Sequence, residues 1–228
     1  MLIKDFMTAD PITVNEEISV IDAAELMKRH RVRRFPVLRN NELVGIVSDR
    51  DVRSAGLSQV IRFDKAEREL LPDLYALLSK IEVRDIMSRN VLEIGPDKTI
   101  LTASRMMLKH KITGLPVVDD QKNLVGIITQ GDIFKVMVDF SAGHLGKTLF
   151  GLTLEDRPDI VKDVADVIRG HGGRIASLMS SYVAGDKQLR QVYIRIMDDP
   201  ALDREALKKE LADKFTLLFM IEDDVTIS

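Results

Sequence analysis

The chain has 228 residues, 45% of them hydrophobic and 30% charged, and a formal net charge of −3 at pH 7. This balance is typical of globular proteins rather than disordered ones, and the small negative charge argues against a nucleic-acid partner. The absence of cysteine excludes disulfides, thiolate metal sites and cysteine nucleophiles. Residues 1–11 lack the apolar core of a signal peptide, and no apolar run approaches the ~18 residues of a membrane span. A cytoplasmic protein without a membrane partner is therefore expected.

An internal repeat organises the first 140 residues. The matched segments are, in order, Asp5–Met7 with Asp85–Met87, Phe35–Val37 with Leu115–Val117, Leu43–Ser48 with Leu124–Thr129, and Asp51 with Asp132. The spacing is 80 positions for the first two matches and 81 for the last two, because the second copy contains one inserted residue. So many matches in a fixed order predict two copies of one structural unit.

Each copy predicts the element order β-α-β-β-α. A short strand, over 12–14 in the first copy and 91–94 in the second, precedes an amphipathic helix. Ser19 and Thr99 stand where the N-caps of these helices are expected. Two further strands follow, and the last helix of each copy begins near the aspartate of the matched pair.

The rest of the chain predicts a helical segment and a second domain. Residues 61–80 separate the copies and predict a helical segment broken at Pro72. After a linker near 141–146, the predicted order over 147–228 is β-α-β-β-α-β, that of a ferredoxin-like sandwich. The predicted strands cover 148–154, 175–183, 189–197 and 215–221, and the predicted helices 158–169 and 202–211. The fold class expected for the whole chain is therefore α+β.

The repeated frame runs from a Met turn through a Pro-Val strand to the pattern Gly-hydrophobic-hydrophobic-Ser/Thr-x-x-Asp. It resembles a tandem pair of CBS domains, with CBS repeat 1 over 1–60, the helical segment over 61–80 and CBS repeat 2 over 81–140. The resemblance implies that the two repeats form one module with a regulatory ligand in the clefts between them. That ligand is an adenine nucleotide (AMP, ADP or ATP) or sometimes S-adenosylmethionine, and no catalytic cofactor is implied.

The implied ligand site centres on the two Ser/Thr-x-x-Asp motifs. Asp51 and Asp132 are placed to accept hydrogen bonds from ribose hydroxyls. Ser48 and Thr129 offer hydroxyls toward a phosphate, beside the amides of a helix N-terminus. Either motif taken alone is better explained as a helix cap, and it is the doubled frame that favours ligand binding.

Basic residues of the first copy are candidates for phosphate binding. The most basic stretch of the chain ends in Arg33 and Arg34, and Arg50 is a further candidate. The alternative is a solvated helix end whose cations oppose the helix dipole. In the second copy Thr113 and Gly114 replace Arg33 and Arg34. One cleft is therefore expected to be better equipped for phosphate than the other.

The remaining candidates are glycine, proline and apolar residues of the predicted strands. Gly45 and Gly126 permit a close approach to the backbone. Pro36 and Pro116 complete the implied nucleotide-binding set. Three apolar side chains either line an adenine pocket or belong to the core: Val14, Phe35 and Leu115.

The C-terminal region resembles an ACT domain over about residues 147–225. The segments Asp156–Asp159 and Gly173–Ile175 correspond to that family's Asp-Arg-Pro-Gly and Gly-x-Asn-Ile motifs, with Asp159 in place of glycine. A carboxylate there crowds the loop at which such domains bind amino acids and repels a ligand carboxylate. The resemblance thus favours dimerisation or signal relay over amino-acid sensing. The CBS-CBS-ACT order is similar to that of AcuB-type proteins associated with acetoin utilisation.

Taken together, these patterns predict a regulatory protein and not an enzyme. The four histidines are scattered, and the sequence contains no HExxH, Gly-x-Ser-x-Gly or phosphate-loop motif. A ligand-free module that only oligomerises is the main alternative, whereas a DNA-binding regulator is disfavoured because no helix-turn-helix remains once the repeats are assigned. The implied partners are an adenine nucleotide, a second copy in a homodimer and an unidentified regulated protein.

Overall fold

A computed structural model describes residues 1–57, 76, 79–142 and 145–222. The chain divides into two compact units, Met1–Ile133 and Phe134–Ser228. This division falls upstream of the linker predicted near 141–146. Most of the predicted helical segment over 61–80 lies outside the described residues.

The first repeat contains the predicted strands and helices together with one additional short strand at its start, but the strand predicted over 12–14 is observed at Val14–Asn15. Its elements are β1 (Thr8–Ala9), β2 (Val14–Asn15), α1 (Val20–His30), β3 (Arg34–Arg39), β4 (Glu42–Ser48) and α2 (Asp49–Val52), followed by a π-helical turn over Arg53–Leu57. The helix α1 begins where Ser19 Oγ accepts a hydrogen bond from the Asp22 amide at 3.0 Å. It ends at Arg31, whose φ of 55° is left-handed.

The second repeat follows the same plan with one difference. Its elements are α3 (Val83–Ile86), α4 (Ile100–His110), β5 (Gly114–Val118), β6 (Leu124–Thr129) and α5 (Gln130–Ser141). The predicted strand over 91–94 is wrong, since only Ile94 forms an isolated bridge, with Val117. Pairing stops there because Pro96 has no amide hydrogen to donate and the Val91 amide bonds locally to the Arg89 carbonyl.

In each repeat, one strand of the sheet pairs with a short segment that belongs to the other repeat. The sheet orders are β2-β3-β4 and β1-β6-β5, so β1, at the start of the first repeat, pairs with a strand of the second. Reciprocally, Ser88 at the start of the second repeat forms a bridge with Ile46 of β4. Both amide-to-carbonyl bonds of that bridge measure 3.0 Å. The Met turns at residues 5–7 and 85–87 are therefore exchanged between the repeats.

The C-terminal unit follows the order β-α-β-β-α-β over its strands and helices. Its elements are β7 (Thr148–Glu155), α6 (Ile160–Gly170), β8 (Ile175–Val183), β9 (Asp186–Ile196), α7 (Arg204–Lys214) and β10 (Thr216–Glu222). All three strand pairings are antiparallel, in the order β10-β7-β9-β8. The core packs fully buried side chains of the sheet, such as Phe150 and Leu152, against helix residues such as Ile168, Leu207 and Leu211.

Candidate functional site

The two Ser/Thr-x-x-Asp motifs have nearly identical geometry. One carboxylate oxygen of Asp51 accepts bonds from the Ser48 amide at 2.7 Å and the Ser48 hydroxyl at 2.6 Å. The same oxygen of Asp132 accepts bonds from the Thr129 amide and hydroxyl, also at 2.7 and 2.6 Å. In return each hydroxyl oxygen accepts a bond from the aspartate amide at 3.4 Å. Both motifs are thus reciprocal helix caps.

These caps leave part of each carboxylate available to a ligand. Both hydroxyl protons are donated to the aspartate, so Ser48 and Thr129 orient Asp51 and Asp132. Within the described part of the chain, the second oxygen, Oδ1, of each aspartate accepts no hydrogen bond. Both aspartates are half-buried. A half-buried, preoriented carboxylate oxygen can accept a bond from a ligand hydroxyl.

Arg34 is the basic candidate that reaches the other repeat. Its Nη2 donates a hydrogen bond to Thr113 Oγ1 at 2.7 Å. Partial burial lowers the pKa of the Arg34 guanidinium, while the negative charges of Asp49 and Asp132 oppose that shift. Arg33 and Arg50 are exposed to solvent. The structure therefore separates Arg34 from the other two arginines.

Gly45 and Gly126 make room for the exchanged Met turns. A Cβ atom at Gly45 would lie 2.4 Å from Met87 Sδ, and one at Gly126 would lie 2.4 Å from Met7 Sδ. Both distances are far below van der Waals contact. These glycines therefore make room for a methionine of the other repeat. The expectation that they make room for a ligand is wrong. No sequence pattern within one copy indicates this, because the two partners come from different copies.

The remaining candidates belong to the strands that support the site. Phe35 and Leu115 have no accessible surface and Val14 is 5% exposed, so all three are core residues. Pro36 and Pro116 are buried in β3 and β5. Pro36 lies in the central strand of its sheet. Its partner in β4, Ile46, bonds to Ser88 through both its amide and its carbonyl, and β2 pairs with β3 only from Val37 onward, so no strand pairing requires the missing amide hydrogen of Pro36.

The C-terminal unit contains a separate open cavity of about 710 Å³ that sequence reasoning missed. Two of its residues, His171 and Glu210, are joined by a hydrogen bond of 2.7 Å. Hydrogen bonds from Lys214 and His171 lower the pKa of Glu210. The only sequence feature that pointed to this cavity was the position of His171 at the end of a predicted helix. Among the described residues, no group of three or more His, Asp or Glu side chains could hold a metal ion.

Asp159 occupies a backbone conformation that favours glycine. Its φ is 64° and ψ −2°, at the residue that precedes helix α6, and its side chain makes no capping bond. Nearby, Arg157 donates a bond of 2.6 Å to Asp163 in the first turn of that helix. The aspartate that replaces the expected glycine therefore keeps the glycine-like conformation.

Comparison with known proteins places the first part of the chain in a family. The CBS domain family matches residues 3–58 and 83–139. The uncharacterized protein MJ1426 of Methanocaldococcus jannaschii is 36% identical, over 60% of this chain and 92% of its own. The CBS domain-containing protein YhcV of Bacillus subtilis is 33% identical, over 58% of this chain and 81% of its own. The match to the L-aspartate semialdehyde sulfurtransferase of M. jannaschii, 31% identical over 59% of this chain, spans only 23% of that enzyme.

The CBS domain pair of protein MJ0100 is a structural neighbour solved in complex with 5′-methylthioadenosine and S-adenosyl-L-methionine. It is 28% identical, has a TM-score of 0.50, and matches over 61% of this chain and 97% of its own. None of the helices in the described part of the chain is long and apolar enough to cross a membrane. The match over both repeats and the two paired caps lead to one assignment: this chain belongs to the CBS domain family.

Proposed function

We propose that this chain is a regulatory protein whose CBS pair binds an adenosine-containing ligand, an adenine nucleotide or a related adenosyl compound. Binding would modulate a partner protein that remains to be identified, and the chain itself would catalyse no reaction. Since adenine nucleotides are abundant in the cytoplasm, the function presupposes a cytoplasmic location.

The observation that carries the proposal is the pair of half-buried carboxylates, Asp51 and Asp132, each held by a reciprocal cap. In both, the ordered cap uses Oδ2 and leaves Oδ1 for an incoming hydroxyl group. A ribose offers two neighbouring hydroxyls, the donors that such an oxygen accepts. The ligands of the MJ0100 pair, 5′-methylthioadenosine and S-adenosyl-L-methionine, both carry this ribose, which supports the same ligand class here.

A thermal-shift panel tests the proposal directly. The full chain is melted with AMP, ADP, ATP, 5′-methylthioadenosine, S-adenosylmethionine and, as a non-adenine control, GMP. A ligand at 100 times its dissociation constant adds about 2.7 kcal/mol, which for a chain of this size raises Tm by roughly 5–10 °C. Adenosine compounds are expected to stabilise the chain, and GMP is not.

Matched variants identify the site. Asp51→Asn and Asp132→Asn retain an oxygen that can accept the bonds from Ser48 or Thr129, so the caps persist while the charge is lost. Each variant is expected to lose the shift that belongs to its own cleft. If no adenosine compound stabilises the wild-type chain, the ligand-free structural module becomes the better explanation.

We further propose that the C-terminal unit is an ACT-like domain that dimerises or relays the signal. The antiparallel sheet order, with two helices in β-α-β-β-α-β sequence, supports a ferredoxin-like sandwich. The left-handed Asp159 supports the match to the ACT loop, where glycine is usual. Amino-acid sensing at this loop remains the alternative, and a shift with any of the twenty amino acids would favour it. The link to acetoin utilisation stays a hypothesis.

A homodimer is proposed from an apolar surface on α4. Leu101 and Leu108 are 59% and 77% exposed, and their spacing of two helical turns puts them on one face. The counterpart of Leu101 in the first repeat, Ile21, is only 4% exposed. Light scattering after size exclusion should give a dimer for the wild type and for Ile12→Ser, and a monomer for Leu101→Ser/Leu108→Ser. A monomeric wild type would contradict the proposal.

The proposed relay of the ligand signal can also be tested directly. A ligand shifts a conformational equilibrium only if it binds one conformation better than the other. Solution scattering of the free and AMP-saturated chain is expected to differ. Identical profiles at saturation would contradict the relay.

A further inference from the structure

The two clefts differ at one structurally equivalent position. In the strand pairing of the first repeat, Arg34 lies opposite Ser48. In the second repeat, the residue opposite Thr129 is Gly114. One repeat thus has a long cationic side chain beside its cap, and the other has no side chain at all.

The side chain of Arg34 extends into the second repeat. Its bond to Thr113 Oγ1 holds the guanidinium beside β5. A Cβ atom at Gly114 would lie 2.1 Å from Nη1 of Arg34, so the guanidinium occupies the space that any larger residue would need. The glycine at 114 and the arginine at 34 are therefore complementary.

The strand register places the guanidinium of Arg34 beside the cap of the second repeat, because Gly114, against which the guanidinium packs, lies opposite Thr129. Asp132, the ribose candidate of the second repeat, forms that cap with Thr129. The negative charges of Asp49 and Asp132 both favour the charged guanidinium, and Asp49 also pairs with Arg53 at 3.0 Å. An arginine keeps its charge at all physiological pH values and binds phosphate through paired donors.

We infer that the two clefts take different classes of adenosine compound. The Asp132 cleft binds a 5′-phosphorylated nucleoside, whose phosphate meets Arg34, and the Asp51 cleft binds an adenosyl compound without a phosphate. The inference rests on the proposed adenosine binding. The counterparts of Arg33, Arg34 and Arg50 in the second repeat are Thr113, Gly114 and Gly131, so none of these three cations is duplicated there, and the Asp51 cleft has no equivalent of Arg34. Arg50, although next to Asp51, is exposed, where solvent and salt screen its charge.

The test compares AMP with 5′-methylthioadenosine, which carries a methylthio group in place of the phosphate. Isothermal titration of the full chain is expected to show that both compounds bind together without competition. Arg34→Gln should weaken AMP by about 10- to 100-fold, the usual effect of losing charge-assisted hydrogen bonds, and leave 5′-methylthioadenosine within about twofold. Arg50→Gln is the matched control and should change neither affinity by more than about twofold.

Two further sets of variants complete the test. Asp132→Asn should remove AMP binding and keep that of 5′-methylthioadenosine, and Asp51→Asn should do the reverse. Arg34→Lys, which keeps the charge and shows that the site still folds, should recover part of the AMP affinity. The inference is overturned if Arg34→Gln weakens both compounds equally, if AMP binding depends on Asp51, or if the two compounds compete. If neither compound binds to the wild type, the proposed function fails together with this inference.

Discussion

The two CBS repeats share a scaffold and differ where a ligand would bind. Helices α1 and α4 begin at equivalent caps, and their C-caps, Arg31 and Lys111, have the same φ of 55°. The two reciprocal caps agree to 0.1 Å. The symmetry is lost beside these caps, at Arg34 and Gly114. The comparison teaches that backbone and caps are duplicated, whereas the cationic side chain beside the cap, to which we assign ligand selection, belongs to one repeat.

The largest expected effect tests whether the two cores are equivalent. Phe35→Ala and Leu115→Ala remove matched side chains that have no accessible surface. Cavity formation should lower the free energy of unfolding by about 3–5 kcal/mol for Phe35 and about 2–5 kcal/mol for Leu115. Urea denaturation followed by circular dichroism measures both. Ile12→Ala, at a 41% exposed position, is the control and should cost far less. A small cost at only one of the two matched sites would break the equivalence.

The exchange of Met turns predicts an intermediate effect. Gly45→Ala and Gly126→Ala force a Cβ atom against Met87 and Met7, and such overpacking costs about 1–3 kcal/mol. In Gly131→Ala the nearest atom would be 3.6 Å away, so this control in α5 should leave stability unchanged or raise it by up to about 1 kcal/mol.

Double variants sharpen the same measurement. Met87→Ala combined with Gly45→Ala should cost less than the sum of the single changes, because the methionine no longer occupies the space. Additive costs would show that the turn of one repeat does not dock on the glycine of the other.

Smaller and equal effects are expected at the helix caps. Ser19→Ala and Thr99→Ala each remove an oxygen that accepts an amide hydrogen bond, at 3.0 and 3.1 Å. The typical loss is about 1 kcal/mol for each. Ser104→Ala is the control. The Ser104 hydroxyl donates a bond within the helix that Thr99 caps, so this variant loses a hydroxyl that is not part of a cap. Unequal losses of stability would show that the two caps share their geometry but not their contribution to stability.

The smallest effect concerns an ion pair found in the first repeat alone. Glu16 is buried and accepts bonds from Arg39, whereas Pro96 and Asp119 occupy the equivalent positions of the second repeat. The bonds from Arg39 lower the pKa of Glu16 from its ordinary value of 4.5. Its stabilisation is therefore complete above pH 4.5 and is lost as the pH falls through the lowered pKa.

Unfolding midpoints of the wild type and Glu16→Gln, measured from pH 7 to pH 3, check this pH dependence. The two curves should be separated by a constant amount above pH 4.5 and converge below it. A separation that grows as the pH falls would contradict the assignment. Glu93→Gln is the comparison variant for Glu16→Gln, because it removes the carboxylate of the exposed ion pair between Glu93 and Lys122 in the second repeat.

The sequence by itself predicted most of the secondary structure, because the local signals agree with one another. The α1 and α4 helices begin one residue after Ser19 and Thr99 as expected, since caps and apolar periodicity act over a few residues. The C-terminal strand over 175–183 was also correctly bounded. The strand over 91–94 failed because extended pairing needs a partner strand, which local propensity does not supply.

The candidate carboxylates and their caps were also accessible from the sequence, through the repeated Ser/Thr-x-x-Asp pattern. The tertiary structure alone decided which repeat each Met turn contacts, because the spacing along the chain is the same whether a turn packs on its own copy or on the other. It likewise distinguished Arg34 from Arg33: Arg34 is the first residue of β3, whereas Arg33 precedes the strand and is exposed, and only the position of Thr113 in the second repeat determines which guanidinium finds a partner.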